Sequence, residues 1–388
     1  MIVTLKDITT KITKGTTPTS IGCKFEKSGI NFIKSESLVD GKTIDKSKFA
    51  FISERTHERL KRSQIEENDI LFSMAGMFLG KTGIATAEVV PANTNQAVAI
   101  IRVDDTKANY EYVYYYLNQK SVIHTINTTS AQSAQPNINL KQIGKIKINL
   151  PDRKKQDQIV SLLSAIDLKI SNNVEINDNL EQQAAALFSS LYNRSNTEVR
   201  YTDLIQILGG GTPKTGETAY WNGNIAFFTP KDVGTPYTFI TEKTITEEGL
   251  SHCNSRLYPV NTVFVTARGT VGKVGLSGVP MAMNQSCYAL IGKETHQLLV
   301  YFYTLKAVDR LKHKASGAVF DAITTRDFDS EQIMKLSDDD AKAFLCVAEP
   351  MFQEILNNSI ENLRLSTLRD FLLPKLMSGE IDVSSVQL

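Results

Sequence analysis

At 388 residues the chain is too long for one ordinary domain and suits two or three. Its 43 basic and 42 acidic side chains leave a net charge of +1, so bulk charge names no nucleic-acid partner, and any such contact must come from local patches. The four cysteines (Cys23, Cys253, Cys287, Cys346) are scattered without a Cys-x-x-Cys pair, which predicts reduced thiols, and no signal-like or membrane-length apolar run occurs, which predicts a cytoplasmic protein.

Taken in order, the chain states one plan twice. Gly15-Thr16-Thr17-Pro18 returns as Gly210-Gly211-Thr212-Pro213-Lys214, and the alternating strand Ile30-Asn31-Phe32-Ile33-Lys34 as Asn224-Ile225-Ala226-Phe227-Phe228. Asn68-Asp69-Ile70-Leu71-Phe72-Ser73 returns as Asn261-Thr262-Val263-Phe264-Val265-Thr266. Gly80-Lys81-Thr82-Gly83-Ile84 becomes Gly272-Lys273-Val274-Gly275-Leu276, and Asn95-Gln96-Ala97-Val98 becomes Asn284-Gln285-Ser286-Cys287. An aromatic helix around Tyr112–Leu117 matches another around Val300–Leu305. Each copy is predicted as a mixed α+β domain of short strands with Gly, Asn and Pro punctuation, followed by a long helix. The divisions are 1–150, 151–195, 196–336 and 337–388.

Pro151 and Asp152 open the first long helix, which continues without Gly or Pro to Tyr192, about 60 Å at 1.5 Å per residue. Globular helices rarely reach that length, so a helical partner is expected, and the second long segment, near 339–377, is the natural one. There Leu336-Ser337-Asp338 replaces Leu150-Pro151-Asp152, and Pro350 predicts that the helix kinks or begins at that point. The first apolar stripe runs Ile159, Leu163, Ile166, Ile170, Asn173, Asn177, Leu180, Ala184, Leu187, Leu191. The second runs Phe344, Ala348, Met351, Ile355, Asn358, Asn362, Leu365, Arg369, Leu372, Leu376. Both are broken at the same place by two asparagines. An antiparallel coiled coil would set Asn173 against Asn362 and Asn177 against Asn358, a polar layer that fixes register.

Little else suggests chemistry. Ala75-Gly76-Met77-Phe78-Leu79-Gly80-Lys81-Thr82 satisfies a permissive phosphate-loop pattern, but Gly83-Ile84-Ala85 reads as a strand where that motif requires a helix. A β-hairpin turn is expected instead. His57, His124, His252, His296 and His313 have no partners at motif spacing, and His252-Cys253 alone does not make a metal site, so no catalytic residue and no metal is assigned. Polar loops remain, of the kind that contact bases and phosphates: Asn and Gln suit adenine, Arg and Lys suit guanine. In the first copy the candidates are Thr16, Thr17, Lys34, Ser35, Ser73, Lys81, Asn95, Gln96, Gln135 and Asn137. In the second they are Thr212, Lys214, Lys231, Arg268, Lys273, Asn284 and Gln285. The repeated Asn-Gln pairs could equally cap turns. Arg268 stands opposite Met74 or Ala75 in the first copy and is the better specificity candidate, because sequence-reading residues should differ between copies.

The closing segment, Leu368-Arg369-Asp370-Phe371-Leu372-Leu373-Pro374-Lys375-Leu376-Met377-Ser378-Gly379-Glu380, resembles the last conserved helix of type I restriction-modification specificity subunits. Asp157-Gln158-Ile159-Val160 and Asn179-Leu180-Glu181-Gln182-Gln183-Ala184 resemble their first conserved helix, and the order of domain, helix, domain, helix is that family's order. The resemblance implies a non-catalytic subunit in which two recognition domains read the halves of a split, asymmetric site in double-stranded DNA while the helices set the spacing. It also implies two modification subunits that methylate adenine with S-adenosylmethionine, and restriction subunits that use ATP and magnesium, with none of these cofactors held by this chain. Two alternatives stay open: a related system with one combined nuclease-methyltransferase partner, and a coiled-coil scaffold that binds no DNA.

Overall fold

Two helices, Arg153–Arg194 and Asp338–Ser378, carry the rest of the chain. The computed structural model describes residues 1–39, 41–130, 137–234, 236–314 and 322–383. The chain divides into two units, Met1–Lys169 with the segment from Arg364 onward, and Ile170–Leu363. Both boundaries fall inside the long helices, so each unit holds one α+β domain and a part of both.

The helix ends follow from local chemistry. The Asp152 carboxylate accepts the Lys155 N–H at 2.9 Å, and Ser337 accepts the Asp340 N–H at 3.1 Å, so the second junction is capped by a hydroxyl where the first uses a carboxylate. Asp338, Asp339 and Asp340 add acidic charge to the second helix's first turn, next to its positive dipole end. Gly379, at φ +82°, ends that helix in the left-handed region. Contrary to the expectation of a start at Pro350, the helix runs without interruption from Asp338 to Ser378. Proline removes the donor for the carbonyl of Cys346, but Cys346 is exposed and water can replace the bond. Phe344, Ala348 and Phe352 meanwhile anchor the opposite face on both sides of the proline.

The two domains share one topology. In the first unit an antiparallel sheet runs Thr9–Lys14, Val98–Val103, Ile70–Ser73, Thr82–Ile84. In the second unit the matching order is Ile205–Gly209, Cys287–Gly292, Val263–Thr266, Val274–Ser277, with Tyr237–Thr238 added at the edge. A smaller sheet in each contains one parallel pair, Ile30–Ile33 with Ala92–Thr94 and Trp221–Phe228 with Met281–Met283. A two-stranded ribbon leads into each long helix, Ile2–Thr4 with Lys147–Asn149 and Thr197–Arg200 with Gln332–Lys335. Even the strained position is duplicated: Asn68 and Asn261 both sit at φ +68°, where asparagine is among the few side chains readily accepted.

In the second unit the aromatic helix Gln297–Lys314 is pinned to the long helices by a knot of rings. Phe188 lies 5.1 Å from Phe302 and 5.4 Å from both Tyr303 and Phe344, centroid to centroid. Rings at these separations add about 0.5–1.5 kcal/mol per pair beyond their burial. The Tyr301 hydroxyl donates to Glu181 at 2.9 Å. In the first unit the equivalent helix, Tyr110–Leu117, packs on Ile159, Leu163, Leu373 and Leu376. There the Tyr115 hydroxyl donates to Asp167 at 2.5 Å, and Arg369 donates to the same carboxylate at 2.9 Å. The two units thus fasten an aromatic helix to a long helix through a tyrosine and a carboxylate at different places in the register.

Within the second unit the long helices run antiparallel, locked by the asparagines. Asn173 donates to Asn362 at 2.9 Å and to Glu361 at 2.7 Å. Asn358 donates to Asn177 at 3.0 Å, and the free edges of Asn177 and Asn362 reach the carbonyls of Ile355 and Ile170. Asn173 is 0 % exposed, Asn358 6 % and Asn177 8 %. A buried amide layer contributes little net stability but penalises any slip, because each unpaired buried amide costs about 1–3 kcal/mol.

Two predictions follow from this packing. Asn358→Leu alone should destabilise the second unit by about 1–3 kcal/mol, since Asn177 loses its buried partner. The pair Asn177→Leu with Asn358→Leu should recover that loss, and the single tryptophan, Trp221, lies in this unit and reports urea unfolding by fluorescence. Glu181 supplies the second test. Burial raises its carboxyl above the ordinary 4.5, with the Tyr301 hydrogen bond opposing in part. A raised carboxyl pKa favours the protonated folded state, so stability is fully present below the ordinary value and falls as pH rises through the raised one. Glu181→Gln keeps an acceptor for Tyr301 and should flatten that decline, raising Tm at pH 7 but not at pH 4.

Candidate nucleic-acid interface

The repeated polar candidates converge on one construction in each domain. After the first strand of the main sheet the chain turns through Gly15-Thr16-Thr17-Pro18, or Gly210-Gly211-Thr212-Pro213, and this turn lies directly on the Asn-Gln turn. An added Cβ would stand 1.8 Å from the Thr94 carbonyl oxygen at Gly15 and 2.1 Å from that of Asn284 at Gly210, so only glycine allows the approach. Thr17 then donates to Gln96 at 2.5 Å, and Thr212 donates to Gln285. The Asn95 side-chain oxygen accepts the Ala97 N–H at 3.0 Å, and that of Asn284 accepts the Ser286 N–H at 3.0 Å. The asparagines hold their turns, while Gln96 and Gln285 stand exposed with their carbonyl oxygens already engaged.

The glycine-lysine segments are hairpins, and the phosphate-loop pattern has no loop-to-helix geometry behind it. Ile70–Ser73 pairs with Thr82–Ile84, and Val263–Thr266 with Val274–Ser277, in both cases antiparallel. The Thr82 hydroxyl is buried and donates to Asn118 at 2.9 Å, which removes it from any magnesium role. Lys81 lies in the tight return, its N–H donating to the Phe78 carbonyl and its own carbonyl accepting the Ser73 N–H. Lys273 is exposed at the corresponding corner. Ser73 does not reach the surface: it is 0 % exposed, and among the described residues its hydroxyl has no partner. It faces the interior because both faces of its strand are covered, so it cannot touch DNA.

The remaining candidates separate by surroundings. Lys34 pairs with Glu36 at 3.7 Å and lies over the Phe25 ring, with Ser35 opening the short helical turn Ser35–Ser37 beside it. Thr16 accepts from Arg62 at 3.2 Å. Lys214 is exposed, and its carbonyl accepts the Trp221 indole N–H at 3.1 Å. Asn137 is exposed and bridges through its backbone to Ala75, whereas Gln135 lies outside the described residues.

In the second unit Lys231, Arg268 and Asn284 meet in one open cleft of about 420 Å³. Its walls add Thr229, Lys243, Thr270 and Ser286, which the sequence reading passed over. Lys231 is tied to Glu242 at 3.5 Å, and Lys243 lies 5.5 Å from the centre of the Trp221 ring. Arg268 is exposed, and among the described residues no carboxylate lies within 4 Å of its guanidinium. The cleft is therefore cationic, with hydroxyl and amide groups around its rim. Cations, hydroxyls and amides are the groups that contact phosphates and base edges. Cys287 next to it is buried, which pushes its thiol up to about 12 and keeps it protonated at neutral pH. Among the described residues no group of three or more His, Cys, Asp or Glu side chains converges as a metal site would, and no helix is long and apolar enough to cross a membrane.

Comparison with known proteins agrees with this construction. The family described as type I restriction modification DNA specificity domain matches residues 1–182 and again 193–335. The HindI specificity subunit of Haemophilus influenzae is 24% identical over 355 residues, spanning 70% of this chain and 77% of that protein. The MjaIX specificity subunit of Methanocaldococcus jannaschii is 32% identical over 124 residues, spanning 30% of this chain and 29% of the relative. The fold is also that of a type I restriction-modification S subunit from M. genitalium, with a TM-score of 0.56 at 15% identity, covering 97% of this chain and 95% of that one. With two family domains covering most of its length on a shared fold, the chain belongs to the type I restriction-modification DNA specificity family.

Proposed function

We propose that this chain is the sequence-recognition subunit of a type I restriction-modification complex, each α+β domain reading one half of a split, asymmetric DNA site. One observation carries the reading: the two domains keep the same supports, the Gly-Thr turn on the Asn-Gln turn, and differ in the side chains displayed nearby. A repeated pair such as Thr17–Gln96 and Thr212–Gln285 serves what both half-sites share, such as the phosphate backbone. A non-repeated residue can serve what differs. The lysines at the hairpin corners and after the parallel strands supply phosphate contacts from a protein with no net basic charge, through patches on the two domains.

The partners of this reading are duplex DNA, two modification subunits that use S-adenosylmethionine to methylate adenine, and restriction subunits that use ATP and magnesium. The chemistry belongs to those subunits, and this chain supplies address. Two equivalent but non-identical readers in one polypeptide let paired partners act on a target that is not a palindrome.

The test is a domain exchange. Residues 200–335 are replaced by the equivalent region of another specificity subunit, and the host's methylated motif is read by methylation-sensitive sequencing. One half of the motif should change and the other persist. A motif altered in both halves at once contradicts separate readers, and loss of any two-part motif in the unaltered protein contradicts the recognition role itself.

A further inference from the structure

We propose that the turn joining the two strands of the hairpin in each main sheet, Ala75–Gly76–Met77 in the first unit and Arg268–Gly269–Thr270 in the second, is the element that distinguishes the two half-sites, and that Arg268 selects a guanine in the half read by the second unit. This deepens the recognition reading and rests on it.

The support of the turn is the same in both units. Met74 donates its N–H to the Ala97 carbonyl at 2.8 Å, and Ala267 donates to the Ser286 carbonyl at 2.8 Å. Ile138 donates to Met74 at 2.9 Å, and Ile323 to Ala267 at 2.9 Å, so a second segment crosses the turn at one position. Ala75 is bridged to Asn137 and Arg268 to Ala322, which makes Ala75 and Arg268 structural equivalents. The next residue is glycine in the left-handed region in each, Gly76 at φ +69° and Gly269 at φ +84°. In the second unit Thr270 also donates to the Pro230 carbonyl at 3.0 Å, tying the far side of the turn to the cleft wall.

What the turn displays is different. At the equivalent of Arg268 the first unit has a methyl group, and its turn presents Met77, 89 % exposed. An exposed methionine is costly to leave in water and offers a base only apolar contact. Arg268 offers a planar fork of donors, the geometry that pairs with the O6 and N7 acceptors of guanine. Its neighbours Lys231 and Lys243 are engaged with Glu242 and the Trp221 ring. Its backbone is held at 2.8–3.2 Å by Ala267 and Arg268 N–H bonds to Ser286, which fixes where the fork starts. A cation presented on a braced turn, at the one position where the copies diverge from methyl to guanidinium, is suited to reading a base more than to holding a phosphate, which both copies need equally.

The experiment uses the full chain in complex with its modification subunits, as wild type, Arg268→Ala and Arg268→Lys, with the methylated motif of the host genome read by sequencing. Arg268→Ala should relax one guanine position in one half-site, discrimination there falling roughly ten- to hundred-fold, and leave the other half unchanged. Arg268→Lys should keep overall methylation yet fail to restore that discrimination, since an ammonium lacks the fork. A uniform fall in methylation with the motif intact, rescued by lysine, makes Arg268 a phosphate contact and overturns the proposal. So does an unchanged motif in both variants, or relaxation at a position without guanine. If the wild-type complex itself shows no two-part motif, the recognition reading fails, an outcome distinct from failure of the Arg268 assignment.

Discussion

The asparagine layer between the two long helices is the constraint on which the rest depends. Apolar stripes alone would let antiparallel helices slide by a turn at small cost, since one leucine fits a hole about as well as another. Asn173 with Asn362, and Asn358 with Asn177, allow one alignment only, because a shift strands buried amides in an apolar seam. The layer's symmetry also follows from the chain's history. Asp152 and Ser337, Ile159 and Phe344, Asn173 and Asn358, and Phe188 and Leu373 are equivalent positions of two copies of one helix, and each pair is put to the same use as cap, core, clasp or core.

Within each unit, taken by itself, an aromatic helix is fixed on its part of the long helices, a sheet packs on it, and a small set of turns is braced by glycine and asparagine. Under the proposed recognition role, rigidity there matters. Contacts that discriminate bases need donors held within tenths of an ångström, and a flexible loop would lose that precision. The chain spends its repeated residues on bracing and leaves the variation to the side chains that the braced turns carry. The core varies too: Arg102 clamps the buried Asp69 with two bonds of 2.8 Å in the first unit, where the second has Thr262 at the position equivalent to Asp69. A duplicated plan therefore tolerates different interiors so long as the turns stay in place.

Much of this was legible in the sequence. Three-and-four periodicity located both long helices, and the asparagine interruptions at the same place in both stripes marked the layer where they meet and the register it fixes. The repeats located matching turns and hairpins. The failures have physical causes. Ser73 was read as a surface residue, yet the strand Ile70–Ser73 is covered on both faces, with Ile70 and Phe72 in one core and Leu71 in another, so alternation there does not signal exposure. Pro350 was read as a kink or a start, yet the helix begins at Asp338, because the core contacts of Phe344, Ala348 and Phe352 outweigh one missing hydrogen bond. The Thr17–Gln96 and Thr212–Gln285 bonds join residues far apart in the chain, and no local pattern predicts which hydroxyl meets which amide. Lys231 and Glu242 stand 11 residues apart in the chain, and only the fold brings them together.

The central claim, that two equivalent helices are clasped antiparallel in this register, is tested most directly by cysteine crosslinking. In a background where Cys23, Cys253 and Cys346 are serine, cysteines are placed at 173 with 362 and, separately, at 173 with 358. Under mild oxidation the first pair should crosslink rapidly and nearly completely in the folded protein, and the second should not. Preferential crosslinking of 173 with 358 would contradict the antiparallel clasp and the account built on it.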